Sequence, residues 1–192
     1  MLVDATNAAF TITNAPSADA GFYSVLVTNN YGAATSSLAQ LTVNSAVITN
    51  GAFFVATNGS DANPGTIDRP FLTINKGLTA VGTGGQLYLR GGTYALSSKL
   101  GLSKTANPTN RIRVWTYPGE SPVIDATGNS SDGISISGDG YHLKGITVRN
   151  AGHNGINISG ASNIVEFCVT CSNANTGLHI TGDTNTSYNW IL

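Results

Sequence analysis

Three heptapeptides recur with a step of 22 residues: Asp-Gly-Ile-Ser-Ile-Ser-Gly at 132–138, Asn-Gly-Ile-Asn-Ile-Ser-Gly at 154–160, and Thr-Gly-Leu-His-Ile-Thr-Gly at 176–182. Their leading glycines are Gly133, Gly155 and Gly177, and their closing glycines are Gly138, Gly160 and Gly182. The apolar pairs keep the same step: Ile134, Ile156 and Leu178, then Ile136, Ile158 and Ile180. Later in each unit Leu143 matches Val165, and Ile146 matches Cys168. A period of about 20 residues marks a solenoid, in which each unit buries its apolar face only against its neighbours. A leucine-rich unit would show Leu-x-x-Leu-x-Leu, which is absent. Here each unit holds short runs of alternating apolar residues separated by Gly and Asn, which predicts short strands paired in parallel at about 4.8 Å. Ile136, Ile158 and Ile180 would then stack as an interior aliphatic ladder. Asn150 and Asn154 suit the bends, and an interior asparagine ladder stays open.

Composition agrees with a strand-and-turn chain. Charged residues are 10% of the 192, against about 25% in ordinary globular domains, while apolar residues reach 41% and leave enough for a core. Glycine and asparagine tolerate the left-handed backbone that tight turns require. The net charge is −1 with no basic block, so the chain carries no electrostatic footprint for nucleic acid or an anionic membrane. No apolar run is long enough to span a bilayer. Met1–Phe10 has neither the basic flank nor the apolar stretch of a signal peptide, so a secreted protein would carry its signal upstream.

Residues 8–43 read as three consecutive strands: 8–13, 21–29 with Tyr23, Val25 and Val27 on one face, and 33–43 after a turn at Asn30-Tyr31-Gly32. Asp19-Ala20-Gly21-Phe22-Tyr23-Ser24-Val25 resembles the E–F corner of an immunoglobulin-like domain. The resemblance makes Tyr23 the corner tyrosine and puts Val25 at the usual cysteine position, so the inter-sheet disulfide is absent. Residues 1–43 are expected to be the C-terminal strands of an incomplete sandwich, marginal by themselves, and 44–52 a linker.

One helix is expected. Phe71, Ile74, Leu78 and Val81 form a single apolar stripe between Pro70 and Gly82-Thr83-Gly84-Gly85. A short amphipathic helix ahead of stacked strands would cap the open end of the stack. Residues 86–94 and 111–128 read as earlier, less regular coils.

Residues 53–192 resemble the Ca2+-dependent pectate lyases of polysaccharide lyase family 9 and their relatives. The resemblance rests on 58–78 (Asn-Gly-Ser-Asp-Ala-Asn-Pro-Gly-Thr … Arg-Pro-Phe-Leu-Thr-Ile-Asn-Lys-Gly-Leu), on 86–94, 113–128 and 141–160, and on Asn-Thr-Gly-Leu-His-Ile at 175–180. It implies an all-β fold, a right-handed parallel β-helix with an N-terminal cap and one short helix, truncated in this chain. It also implies a protein that is secreted or on a bacterial cell surface, monomeric at full length, acting on pectate or a related uronate polysaccharide. In that family Ca2+ held by aspartates acidifies the C5 proton and a lysine removes it. The family's Asp-Asp-Gly strings follow the Asn-Thr-Gly-Leu segment, beyond Leu192, so no catalytic, cofactor-binding or metal-binding residue is carried over and no cofactor is expected in these residues. A fragment of this kind is expected to be inactive and, with its last coil uncovered, prone to association. A non-catalytic β-helix adhesin or stalk, and a β-helix glycoside hydrolase with paired carboxylates, are the alternatives.

The remaining polar residues carry weaker expectations. Asp125, Asp132, Asp139 and Asp183 are the aspartates of the repeat region. Asp132 and Asp139 flank one strand without recurring at Asn154 or Ala161 and read as solvated turn residues, because a hard cation needs six to eight converging oxygens. His142, His153 and His179 lack metal-binding spacing, and His179 should face outward between Leu178 and Ile180. Lys144 and Arg149 could meet a polyanion on an outer face. Tyr88, Tyr94, Trp115 and Tyr117 read as cap and core packing. Cys168 and Cys171 lie in a strand-like run, Ile-Val-Glu-Phe-Cys-Val-Thr-Cys. That assigns Cys168 to the core and leaves Cys171 without a role.

Overall fold

A computed structural model describes residues 19–42, 51–181 and 189–192. The chain divides into two compact units, residues 1–48 and 49–192.

In the first unit β1 (Gly21–Tyr23) and β2 (Leu26–Asn29) are followed by β3 (Gly32–Thr35) and β4 (Ala39–Leu41). β2 and β3 form the expected hairpin, with Asn29 opposite Gly32. The two long runs at 21–29 and 33–43 are each broken. The break has a local cause: the Val25 amide donates to Ser36 Oγ at 2.9 Å, so a side chain interrupts the backbone ladder. β1 then pairs separately with β4. Tyr23 lies in β1, while Phe22, Val25 and Val27 are exposed, so the common face expected for Tyr23, Val25 and Val27 does not form a buried surface among the described residues. Tyr23 Oη donates to the Asp19 carbonyl at 2.7 Å, four residues upstream. The strand expected at 8–13 and most of the linker lie outside the described residues.

The second unit winds in coils. β5 (Ala52–Val55) enters it and α1 (Ile74–Ala80) follows. The first circuit is β6 (Gln86–Leu89), β7 (Gly92–Ala95) and β8 (Leu100–Leu102). The second is β9 (Ile112–Thr116), β10 (Pro122–Asp125) and β11 (Ile134–Ile136). The third is β12 (Tyr141–Lys144), β13 (Thr147–Arg149) and β14 (Ile156–Ile158). The fourth is β15 (Ile164–Glu166), β16 (Val169–Cys171) and β17 (Leu178–Ile180), and β18 (Trp190–Ile191) lies on β15. Like strands of successive circuits pair in parallel, which makes three sheets: β5-β6-β9-β12-β15-β18, β7-β10-β13-β16 and β8-β11-β14-β17. This is a parallel β-helix.

The register follows the 22-residue step. Ile134 pairs with Ile156 and Ile156 with Leu178, Ile136 with Ile158 and Ile158 with Ile180, and Leu143 with Val165. Ile134, Ile136, Ile156 and Ile158 are 0–1% exposed, and burying each such side chain contributes roughly 1.5–3 kcal/mol. Ile180 keeps the interior register position but is 45% exposed.

α1 touches β5, β6 and β8, and Ile74 and Leu78 are buried against the core with Phe71 and Val81. The helix starts at Ile74, four residues after Pro70, because a different group starts it. Asp61 accepts the Leu72 and Thr73 amides at 2.9 and 2.8 Å and the Thr73 hydroxyl at 2.7 Å. Thr73 then caps the helix by accepting the Lys76 amide. Ahead of the helix Phe71 is bridged in parallel to Val55, and Thr73 keeps extended backbone.

The run at 164–171 is two strands on either side of a corner. Phe167 turns it with φ +50°; after that corner Cys168 packs against the core, and Cys171, three residues on along β16, is exposed on the opposite face. Burial raises the Cys168 thiol above its ordinary value.

Candidate functional site

The coils turn sharply between sheets, and there the strand ladder is interrupted. Backbone amides at those corners need other acceptors, since an unpaired buried amide costs about 1–3 kcal/mol. Side-chain oxygens supply them, from residues 22 away in five pairs and 26 away in one. Asn154 N donates to Asp132 Oδ1 at 3.1 Å, and Thr176 N to Asn154 Oδ1 at 3.4 Å. Ala161 N donates to Asp139 Oδ1 at 2.7 Å, and Ala151 N to Asn173 Oδ1 at 3.0 Å. Tyr141 N donates to Asn163 Oδ1 and Asn163 N to Asn189 Oδ1, both at 2.8 Å. Asn163 Nδ2 and Asn189 Nδ2 in turn donate to the carbonyls of Gly138 and Gly160. This is an asparagine ladder of two rungs, and Asn163 is fully buried.

Asp132 and Asp139 are therefore corner acceptors, not the solvated turn residues expected. Asp132 also accepts from Asn154 Nδ2 at 2.9 Å, Asn157 Nδ2 at 3.1 Å and the His153 Nδ1–H at 2.8 Å. Burial raises its pKa, but these donors together outweigh burial and hold its carboxyl below the usual range. His153 turns Nε2 toward Asn175 Nδ2, 3.4 Å away. Asn154, expected at a bend, is wholly buried in this network. Asn150 does turn the chain, with φ +59°. Asp125 accepts from the Thr127 hydroxyl and amide and from Asn150, and pairs with Arg149 at 2.9 Å; these bonds, led by the Thr127 hydroxyl, lower its pKa strongly. Asp183 lies outside the described residues.

A second grouping stands on the outer face of the sheet β5-β6-β9-β12-β15-β18. Inward residues alternate with outward ones, so parallel pairing lines up Phe54, Tyr88, Trp115, Lys144 and Glu166 in one outward column. Gln86, Arg113, His142 and Ile164 make the next. Tyr88, Trp115 and Tyr117 thus line the outside, and only Tyr94 is core, its hydroxyl donating to the Arg90 and Val55 carbonyls. Phe54 and Tyr88 stack at 5.6 Å, and the Arg90 guanidinium lies 4.6 Å from the Tyr117 centroid while paired with Glu120 at 2.7 Å. Further along, Glu166 accepts from Lys144 Nζ and from His142 Nε2, each at 2.8 Å. Burial lowers the His142 pKa against the pull of Glu166, so a neutral imidazole donates Nε2–H to the carboxylate. The Lys144 bond, first among several, lowers the Glu166 pKa. His179 takes an outward position on β17, paired with Asn157 at the edge of the Asp132 network.

Asp125, Asp132, Glu120 and Glu166 all have folded-state pKa values below the unfolded ones of about 4. Their stabilisation is complete above about pH 4 and is lost as pH falls through the folded values. His142 adds a smaller loss below about pH 6.5, because the unfolded chain there binds a proton the folded one resists. The thermal midpoint followed by circular dichroism should therefore fall gently from pH 7 to 5 and steeply below 4.

Among the described residues no three His, Cys, Asp or Glu side chains converge as metal ligands. Glu120, Asp125, Asp132, Asp139 and Glu166 each already accept from protein donors, so these residues do not fit Ca2+, which takes six to eight oxygens. The grouping around Glu166 presents aromatic and charged side chains that can bind and orient a ligand.

A family described as "Pel9A-like, right handed beta helix region" matches residues 53–192. The chain is 37% identical over 142 residues to a pectate lyase L of Paenibacillus polymyxa, covering 71% of this chain and 31% of that protein. It is 34% identical over 134 residues to a pectate lyase L of Thermoclostridium stercorarium, covering 68% and 11%. The crystal structure of pectate lyase Pel9A superposes with a TM-score of 0.68 at 27% identity over 76% of this chain and 39% of that one. A rhamnogalacturonan lyase shares the fold, with a TM-score of 0.53 at 17% identity over 73% and 43%. The chain spans about a third of the length of the Paenibacillus relative.

Proposed function

Because the chain belongs to the Pel9A-like right-handed β-helix family, we propose that it forms the capped first coils of a pectate lyase-like protein. That protein acts outside the cell on a uronate polysaccharide, by Ca2+-assisted β-elimination. The single observation carrying this reading is the match over every described coil, from β5 to β18, to a family named for such an enzyme. The carboxylates of these coils are taken up by corner amides and ion pairs, which supports placing the cation and the base on other coils. The Tyr23 bond to the Asp19 carbonyl supports an immunoglobulin-like reading of the preceding unit.

The test is release of unsaturated uronate from polygalacturonate with added Ca2+. This chain alone is expected to release none, and a longer protein extending through the following coils is expected to release it in a chelator-sensitive way. Robust release by this chain would overturn the assignment of the reacting groups to other coils.

A further inference from the structure

Gly145 and Phe167 occupy the same corner in successive coils, and both have left-handed backbone, φ +74° and +50°. Glycine adopts this conformation freely, whereas for a bulky residue it costs roughly 1–2 kcal/mol. Phe167 gains no burial in return: it is 70% exposed. A strained, exposed aromatic is the kind of outlier that points to a ligand rather than to packing.

Its neighbours are aromatic and cationic. Lys144 Nζ lies 5.6 Å from the Phe167 centroid and 5.5 Å from that of Trp115. Trp115 meets His142 edge-on at 5.1 Å, and its indole Nε1–H is buried without a partner. Arg111 and Arg113 share the outer face of β9's sheet, two residues apart and alternating with buried Ile112 and Val114. Their guanidinium groups reach only backbone carbonyls, of Ser162 and Gly84, and neither has a carboxylate partner among the described residues. Burial and the adjacent Arg113 both pull the Arg111 pKa down, and His142 feels Arg111 as well as Lys144. Glu166 offsets only part of this charge. The face is locally cationic on a chain whose net charge is −1.

We propose that Phe167, Trp115, Lys144, Arg111 and Arg113 form a non-catalytic binding subsite for an acidic sugar. The C–H face of a uronate ring lies on Phe167 and its carboxylate meets Lys144, while Arg113 and Arg111, further along the same face, meet the carboxylates of neighbouring units of the oligomer. An aromatic ring attracts the weakly positive C–H face of a pyranose, and the cations supply selectivity for a charged over a neutral sugar. The site rests on the reading of the protein as uronate-binding but needs no catalytic coil.

The test uses the whole 192-residue chain, which has two tryptophans and so two indole N–H resonances. Titration with a short oligogalacturonate is expected to shift the Trp115 indole resonance, with affinity that weakens as salt is raised. The fully methyl-esterified oligomer should bind at least about tenfold more weakly. F167G, which restores the residue that the preceding coil has at this corner, should also lose about tenfold in affinity, about 1.4 kcal/mol. Its thermal midpoint should not fall. Equal binding by F167G, or by the methyl ester, would overturn the subsite. Binding that leaves the Trp115 resonance unmoved would overturn it too while leaving the uronate reading intact. Absence of any oligogalacturonate binding would remove the subsite alone, since the enzymatic reading stands or falls on product release.

Discussion

Replacing Ile158 with alanine is expected to destabilise the β-helix by about 2–5 kcal/mol. The side chain is completely buried, with Ile136 beneath it and Ile180 above in the same column. Removing it takes away its own transfer free energy and leaves a cavity that strands locked at 22-residue register cannot collapse to fill. The thermal midpoint should drop by roughly 5–15 °C. Ile180→Ala provides the contrast, because a side chain already 45% exposed has much less to lose. Equal shifts for the two would mean that the interior stack does not carry the stability.

Replacing Gly160 with alanine should be as damaging although it adds only a methyl group. A Cβ at Gly160 would stand 2.0 Å from the Gly138 carbonyl oxygen, and one at Gly138 would stand 2.0 Å from that of Lys104. Backbone lies against backbone here, so neither partner can rotate away. Relief requires the coils to part, which breaks the bonds of Ser159 and Gly160 amides to the Ile136 carbonyl. Overpacking costs about 1–3 kcal/mol and each lost bond about 0.5–1.5, so the total should reach about 3 kcal/mol or more. At Gly101, in β8 of the same sheet as β14, an added methyl group would meet nothing within 4 Å. Gly101→Ala should be neutral or stabilise by up to about 1 kcal/mol through the unfolded chain. Urea unfolding of the two variants beside the parent chain measures both, and similar midpoints would refute the close-approach account.

The repeat glycines are points of close approach between coils. Gly133, Gly138, Gly155 and Gly160 all have ordinary backbone angles, and so does Gly177. Their spacing was visible in the sequence, but its cause was not. Glycine serves both left-handed turns and close approach, and only the position of the next coil tells which applies.

The polar residues show the same division. Asp132, Asn154 and Thr176 stand 22 residues apart, yet they look unrelated when carboxylates alone are sought. What recurs is an oxygen that accepts the next coil's amide, on Asp132 and then on Asn154, and Thr176 closes the column by donating its amide and hydroxyl to Asn154. Searching the 22-residue columns for acceptors rather than for one residue type would have found this site. The outer aromatic face was harder to see. Tyr88 and Trp115 lie 27 residues apart in a coil of irregular length, so the repeat step does not align them.

By itself, then, the sequence determined the coil and its register: period-2 apolar residues returning every 22 positions can all be buried at once only if the coils stack in parallel. It also determined the helix at Ile74–Ala80, whose apolar stripe meets the core. The tertiary structure alone decided which polar side chains became acceptors at the corners, which aromatics faced outward, and which cations shared a face. Those outcomes depend on neighbours from other coils, and on whether burial leaves a donor or a charge without a partner, which no single run of residues encodes.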